Sequence, residues 1–240
     1  MQGKELKGTN EGKESLMKKA KQSIRCNYCG EVFGKIAIKK HLENCTVRKE
    51  QNPPGRELYY CIQVRGLYRK EYCMYLEASA NASLKDLDKI LRYKWLECCG
   101  HLSMFSIGGE TYDSHPDPYL MYEGNRDMKV KLKDVLSEGL EFMYEYDFGS
   151  TTELVLKVLS VNMGVKRKER IALMARNLPP VFACLKCGEP ATQVCAECIY
   201  EEPAFYCDEC CKEHECGEDM MLPVVNSPRM GVCAYCGEED

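Results

Sequence analysis

An α+β fold is what this sequence predicts: a mainly antiparallel sheet with two helices, and a small cysteine-containing module at each end. Three observations carry that expectation. Between residues 56 and 178, alternating apolar runs and two amphipathic stretches follow in the order β-β-α-β-α-β-β-β, which suits helices packed on an antiparallel sheet. Charge is partitioned: residues 1–56 hold 13 Lys/Arg against 6 Asp/Glu, a balance of +7, whereas residues 178–240 hold 3 against 13, a balance of −10. The middle is close to neutral. Cysteine divides in the same places, with three, four and ten of the 17 falling in the three parts. The expected organisation is therefore a flexible basic tail (1–22), a small finger (23–52), an α+β domain (56–178) and an acidic cysteine-rich module (179–240).

The elements of the middle part follow in order. "LYYCIQVRG" and "EYCMYLEA" read as strands joined by a glycine-containing turn. Ser83 is a fair N-cap for a helix that places Leu84, Leu87, Leu91, Trp95 and Cys98 on one face. "LSMFSIGG" is a strand, and the polar stretch after it, to about Met128, reads as a loop. "VKLKDVLSEG" is a short helix ending at Gly139. "LEFMYEYDFG" alternates Leu140, Phe142, Tyr144 and Tyr146 toward one face, turns at Gly149 and continues into the strand "TELVLKVLSV". "RIALMARN" closes the domain before Pro179 and Pro180.

The 240 residues are 45% hydrophobic and 29% charged, and no apolar run approaches the roughly 18–20 residues that span a bilayer. The N-terminal stretch has no apolar core of the kind an export signal needs. The expectation is a cytoplasmic chain without membrane contact, in a reducing compartment where structural disulfides are rare. The cysteines then read as metal ligands.

In the basic part, Cys26, Cys29, His41 and Cys45 have the spacing C-x2-C-x11-H-x3-C. Phe33 supplies an aromatic on the second arm of a hairpin, and Ile38, His41, Leu42 and Cys45 share one helical face. This segment resembles a C2HC variant of the ββα zinc finger. Lys35, Lys39, Lys40, Arg48 and Lys49 could meet phosphate oxygens, which leaves nucleic-acid contact open. In the acidic part, Cys184/Cys187, Cys195/Cys198, Cys207/Cys210 and Cys233/Cys236 are four C-x2-C pairs, with His214 and Cys216 nearby. One such pair alone could be a redox centre, but pairs in series argue for zinc. Gaps of seven and eight residues favour interleaving: Cys184, Cys187, Cys207 and Cys210 on one ion, and Cys195, Cys198, His214 and Cys216 on another, with Cys233 as the rival of Cys216 and Cys211 a bystander. The arrangement is similar to B-box and MYND-type cross-braced fingers, although the spacing matches neither. About three zinc ions are expected.

In the middle part, Trp95, His101-Leu102, Phe105 and the strand ending Tyr146-Asp147-Phe148-Gly149 mark residues 57–178 as resembling the plasmid pRiA4b Orf-3-like family. The resemblance implies a compact α+β domain whose activity is poorly defined. Ser150, Thr151 and Thr152 stand where the family commonly has Asp, Trp and His, so no role of those residues carries over. Asp147-Phe148-Gly149 reads as a strand-ending turn, because no kinase glycine-rich loop accompanies it. His101 reads as a hydrogen-bonded, buried or half-buried histidine, with a functional acid or base as the alternative. Glu110, Asp113, His115 and Asp117 read as a solvated acidic loop, and Cys61, Cys73, Cys98 and Cys99 as small core residues.

A non-catalytic zinc-binding adaptor with a protein partner leads the functional readings. Two competitors stay open: a nucleic-acid-binding regulator acting through residues 1–56, and an enzyme whose pocket uses His101, Asp147 or the Glu110–Asp117 loop.

Overall fold

Ten strands join one sheet in the computed structural model, which describes residues 23–116, 125–201 and 203–238. The expected basic tail, together with Asp117 and Pro118 of the acidic loop, lies outside the described residues. The strands are β1 (Ser23–Cys26), β2 (Val32–Gly34), β3 (Glu57–Gly66), β4 (Cys73–Ser79), β5 (Ser103–Ile107), β6 (Glu110–Asp113), β7 (Asn125–Asp127), β8 (Glu141–Tyr146), β9 (Thr152–Gly164) and β10 (Ile171–Asn177). Their spatial order is β2-β1-β10-β4-β3-β9-β8-β5-β6-β7, antiparallel throughout except for the β6–β7 pair. The fold is α+β, as the alternation predicts. β6 and β7 fall within the stretch read as loop; both are short and polar, so they carry no period-two signal.

Both faces of the central strands are covered. One face, from Ile62, Val64, Met74 and Leu76 to Tyr144 and Leu156, packs against α3 (Leu84–Leu91) and Trp95. Ser83 caps α3, accepting from the Asp86 backbone while the Asp86 carboxylate accepts from the Ser83 backbone. The helix widens into a π turn at Arg92–Leu96, closed by the Glu97 N–H on the Arg92 carbonyl, so it stops before Cys98. The wider turn carries both Trp95 and Leu96 into the core, each fully buried.

On the other face, Cys61, Cys73, Tyr75 and Met174 meet Ile24, Ile38 and Leu42. Residues 23–34 are thus an edge extension of the same sheet, with β1 paired to β10. α1 (Ala37–Asn44) lays Ile38 and Leu42 onto the back of that sheet, and α2 (Thr46–Gln51) follows. Glu77, fully buried on β4, ties these parts together. It pairs with Arg48, with Arg167 at 2.8 Å, and accepts from Asn52 at 3.1 Å. Arg48 is therefore a buried strut and not a phosphate contact as its basic neighbours suggested. Lys35, Lys39, Lys40 and Lys49 remain exposed.

The cysteine-rich part has little regular structure. Its three-stranded sheet places β11 (Gln193–Cys195) between β12 (Phe205–Tyr206) and β13 (Met221–Pro223). Its apolar clusters are small, built on Ala204 and Tyr206 on one side and on Val194, Phe205 and Met230 on the other. α4 (Leu132–Val135) completes the helices, shorter than its amphipathic pattern suggested.

Candidate metal centres

A tetrahedral zinc with Zn–S bonds of about 2.3 Å holds its sulfurs about 3.8 Å apart, and a sulfur and an imidazole nitrogen about 3.5 Å apart. A disulfide would bring the sulfurs to about 2.05 Å. Those two lengths separate the chemistries, and the sulfur–sulfur spacings below fall in the metal range. Four sets of ligand atoms lie within 4.8 Å of one another: Cys26, Cys29, His41 and Cys45; Cys184, Cys187, Cys207 and Cys210; Cys195, Cys198, His214 and Cys216; and Cys98, Cys99, His101 and Cys233.

The first set is assembled by a hairpin turn and a helix end. Gly30, in the left-handed region at φ +77°, follows Cys29 and donates its N–H to the Cys26 carbonyl, forming the tight knuckle that the sequence suggests. Cys45 caps α1, and Cys29 Sγ lies 3.4 Å from His41 Nε2. Phe33 stacks on the His41 ring at 3.9 Å, which fixes the imidazole plane.

The second and third sets interleave along residues 184–216. The same knuckle recurs, with Gly188 at φ +80° donating to the Cys184 carbonyl. Cys187 and Cys207 stand 3.7 Å apart across twenty residues. In the third set Cys198 Sγ lies 3.6 Å from Cys216 Sγ and 3.5 Å from His214 Nε2. Tyr206 lies against the His214 ring, with centroids 4.6 Å apart. Burial pushes the Cys184 thiol up, yet the backbone N–H groups around it, that of Cys187 foremost, outweigh burial and bring it down to about 6. Cys210 of the same set is instead pushed up, its hydrogen bond with Cys207 first among the causes. Cys211 stands apart, its thiol on the Asp208 carbonyl at 3.2 Å.

The fourth set was not anticipated. Cys98 and Cys99, read as core residues, sit instead in the loop after the π turn, Cys98 half-buried and Cys99 exposed. The reason is the early end of the helix, which leaves "ECCGH" as a turn with Gly100 at φ +79°. Glu97 pins that turn by accepting from the Gly100 N–H at 2.6 Å and from Tyr146 Oη at 3.0 Å. Cys233 arrives from the far end of the chain. The Cys233/Cys236 pair is thereby split, and the Cys236 thiol bonds only locally, to the Ala234 carbonyl. A signal was present in the sequence: glycine follows Cys99 as it follows Cys29 and Cys187.

The remaining candidates do not converge. Glu110 pairs with Arg126 at 3.0 Å, and Asp113, three residues along β6, points to the opposite face. His115 meets Ser114. Two clefts among the described residues are bounded by Arg176 and Tyr235 in one case and by Lys39 and Tyr75 in the other; neither is lined by His101, Asp147 or Glu110. No helix among the described residues is long and apolar enough to cross a membrane.

Fold and site together define an α+β domain bordered by Cys/His clusters able to hold metal ions. Residues 74–180 match the model of the family described as plasmid pRiA4b ORF-3-like protein. The match begins inside the β4 hairpin arm, so β3, which the sequence resemblance included, precedes it. No curated protein matches the chain. A solved structure similar to it is described as a protein of unknown function, MM3350, from Methanosarcina mazei Go1; it is 16% identical, with 50% of this chain and 68% of that chain covered and a TM-score of 0.41.

Proposed function

We propose that this protein is a non-catalytic zinc-binding adaptor, in which the finger and the cross-braced module are structural zinc sites and the acidic module engages a protein partner in the cytoplasm. The observation that carries the reading is the interleaving of residues 184–216 into two sets of four protein ligands each. A zinc so enclosed has no position left for water or substrate, which is the structural pattern and not the catalytic one. Zinc is the natural choice because sets of three or four thiolates, with imidazole as the alternative fourth ligand, suit a borderline-soft ion with no redox chemistry. The module's charge of −10 opposes polyanions. Val181, Leu185 and Tyr200 nevertheless leave apolar groups exposed on it, a combination suited to a protein surface.

The test has two arms. Elemental analysis of the reduced protein should find zinc, and Cys26→Ser, Cys184→Ser and Cys195→Ser should each remove one equivalent. Pull-down with the intact chain should then recover a protein partner that the Cys195→Ser variant does not retain. Iron with visible absorbance would replace the zinc reading with a thiolate cluster.

A second reading is favoured by one observation. Lys35, Lys39 and Lys40 are exposed together on the finger, so non-specific nucleic-acid contact through residues 1–56 is the alternative partner chemistry.

A further inference from the structure

We propose that Cys98, Cys99, His101 and Cys233 form a fourth zinc site, whose ion latches the C-terminal segment (residues 224–238) onto the α+β domain. The inference rests on the same thiolate chemistry as the proposed function but on a separate set of residues.

The geometry is that of a three-sulfur, one-nitrogen set. Cys99 Sγ lies 3.7 Å from both Cys98 Sγ and Cys233 Sγ, and Cys233 Sγ lies 3.7 Å from His101 Nε2. A shorter edge, Cys99 Sγ to His101 Nε2, is 2.9 Å, and an entering ion would open it toward about 3.5 Å. Three thiols and an imidazole gathered at a half-exposed surface have no packing reason to converge; a shared cation supplies one.

The surroundings also have the form of a metal site. His101 turns Nε2 toward the sulfurs and Nδ1 toward Asp147 Oδ1 at 3.4 Å, the carboxylate–histidine arrangement that orients a ligating imidazole. Asp147 is itself held in place, by Arg229 at 2.7 Å and by the Gly149 N–H at 3.1 Å. Asp147 adopts the left-handed region at φ +65°, a conformation rarely kept by a non-glycine residue without cause. This assigns the Asp-Phe-Gly turn a positioning part.

Arg229 connects the two halves. It is fully buried, donates from Nη2 to Asp147 Oδ2 at 2.7 Å and to Cys98 Sγ at 3.5 Å, and lies over the Tyr146 ring. Its Nη1 reaches Thr152 and the Ser150 carbonyl. Three thiolates and a divalent cation sum to −1, and the Arg229 guanidinium lies between that charge and the Asp147 carboxylate. The C-terminal segment thus contributes a ligand, Cys233, and the arginine that steadies the carboxylate behind another ligand. Asn226, bonded to Asn177, and Ser227, bonded to the Trp95 carbonyl, complete the docking.

Exposure distinguishes this site from the other three. Both Cys99 and Cys233 are exposed, whereas each other set holds at least one buried ligand. The latch should therefore release its ion first.

The experiment compares zinc content in the full chain. Cys233→Ser and Cys99→Ser, on opposite sides of the junction, should each contain one equivalent less than wild type. Asp147→Asn should keep the count but bind that equivalent about 10–100-fold more weakly in chelator competition. In wild type, the first equivalent released should coincide with faster hydrogen exchange over residues 224–238. Equal zinc in wild type and both cysteine variants would overturn the proposal, as would a first release without change in that segment. The result stands apart from the adaptor reading, because losses from Cys26→Ser, Cys184→Ser and Cys195→Ser judge that one.

Discussion

The α+β domain and the module of residues 184–216 hold themselves together by different means. The domain buries a continuous set of large side chains, including Ile62, Leu76, Leu91, Trp95, Phe105, Tyr144 and Leu156. The module's buried apolar groups are few, and two of the four in one cluster are Cys184 and Cys195 themselves. Burial at about 25 cal/mol per Å² can account for the domain. It cannot account for the module, where the proposed zinc ions would supply the difference through ligand–metal bonds. Sequence composition alone thus marks where chelation and where core mutation should do damage.

Removing a module ligand should have the largest effect. Structural zinc contributes about 10–16 kcal/mol of apparent binding free energy in small fingers, more than such a core can replace. Cys195→Ser should leave residues 184–216 unfolded while the domain's cooperative transition stays within a few degrees of wild type, followed by near-ultraviolet circular dichroism and calorimetry.

Glu77→Gln comes next, because it blurs the comparison by acting on both finger and domain. Removing the carboxylate charge leaves the buried Arg48 and the half-buried Arg167 without their counter-ion, at a cost of about 3–5 kcal/mol. Denaturant unfolding of the full chain should show the loss. A domain freed of residues 1–55 should be weakened for the same reason, since Asn52 and Arg48 leave with the finger and Cys61, Tyr75 and Met174 are uncovered.

If the finger contacts duplex DNA, replacing Lys35, Lys39 and Lys40 by Ala should flatten the slope of log affinity against log salt by about 2.7, at about 0.9 per phosphate contact. Zinc content should not change. A slope that does not move would place the contact elsewhere.

The smallest effect is expected at Ser83→Ala, which removes the side-chain half of the cap on α3. About 1 kcal/mol should be lost, from the domain transition only.

What could be read from the sequence follows the same division. Strands β3, β4 and β9 stand out as apolar runs because both of their faces are covered, β8 stands out as an alternation, and the Ser83 cap and Trp95 stripe are local features. The interleaved clustering of residues 184–216 was legible because short fixed spacings leave few ways to close. Cys98, Cys99 and Cys233 were not, because their association spans more than 130 residues and an adjacent Cys-Cys breaks the C-x2-C rule. Arg48 looked like one more basic residue of the finger. Its burial depends on Glu77, an acid in the middle of an apolar strand, and that lone acid was the available hint.

The account's central claim is that thiolate-held metal, and not apolar burial, supports the cysteine-rich module. Hydrogen exchange of the full chain with and without a strong chelator tests it most directly. Residues 184–216 should lose protection on chelation, while β3, β4, β9 and α3 keep theirs. Retained protection in 184–216 after zinc removal, or loss across the whole chain, would contradict it.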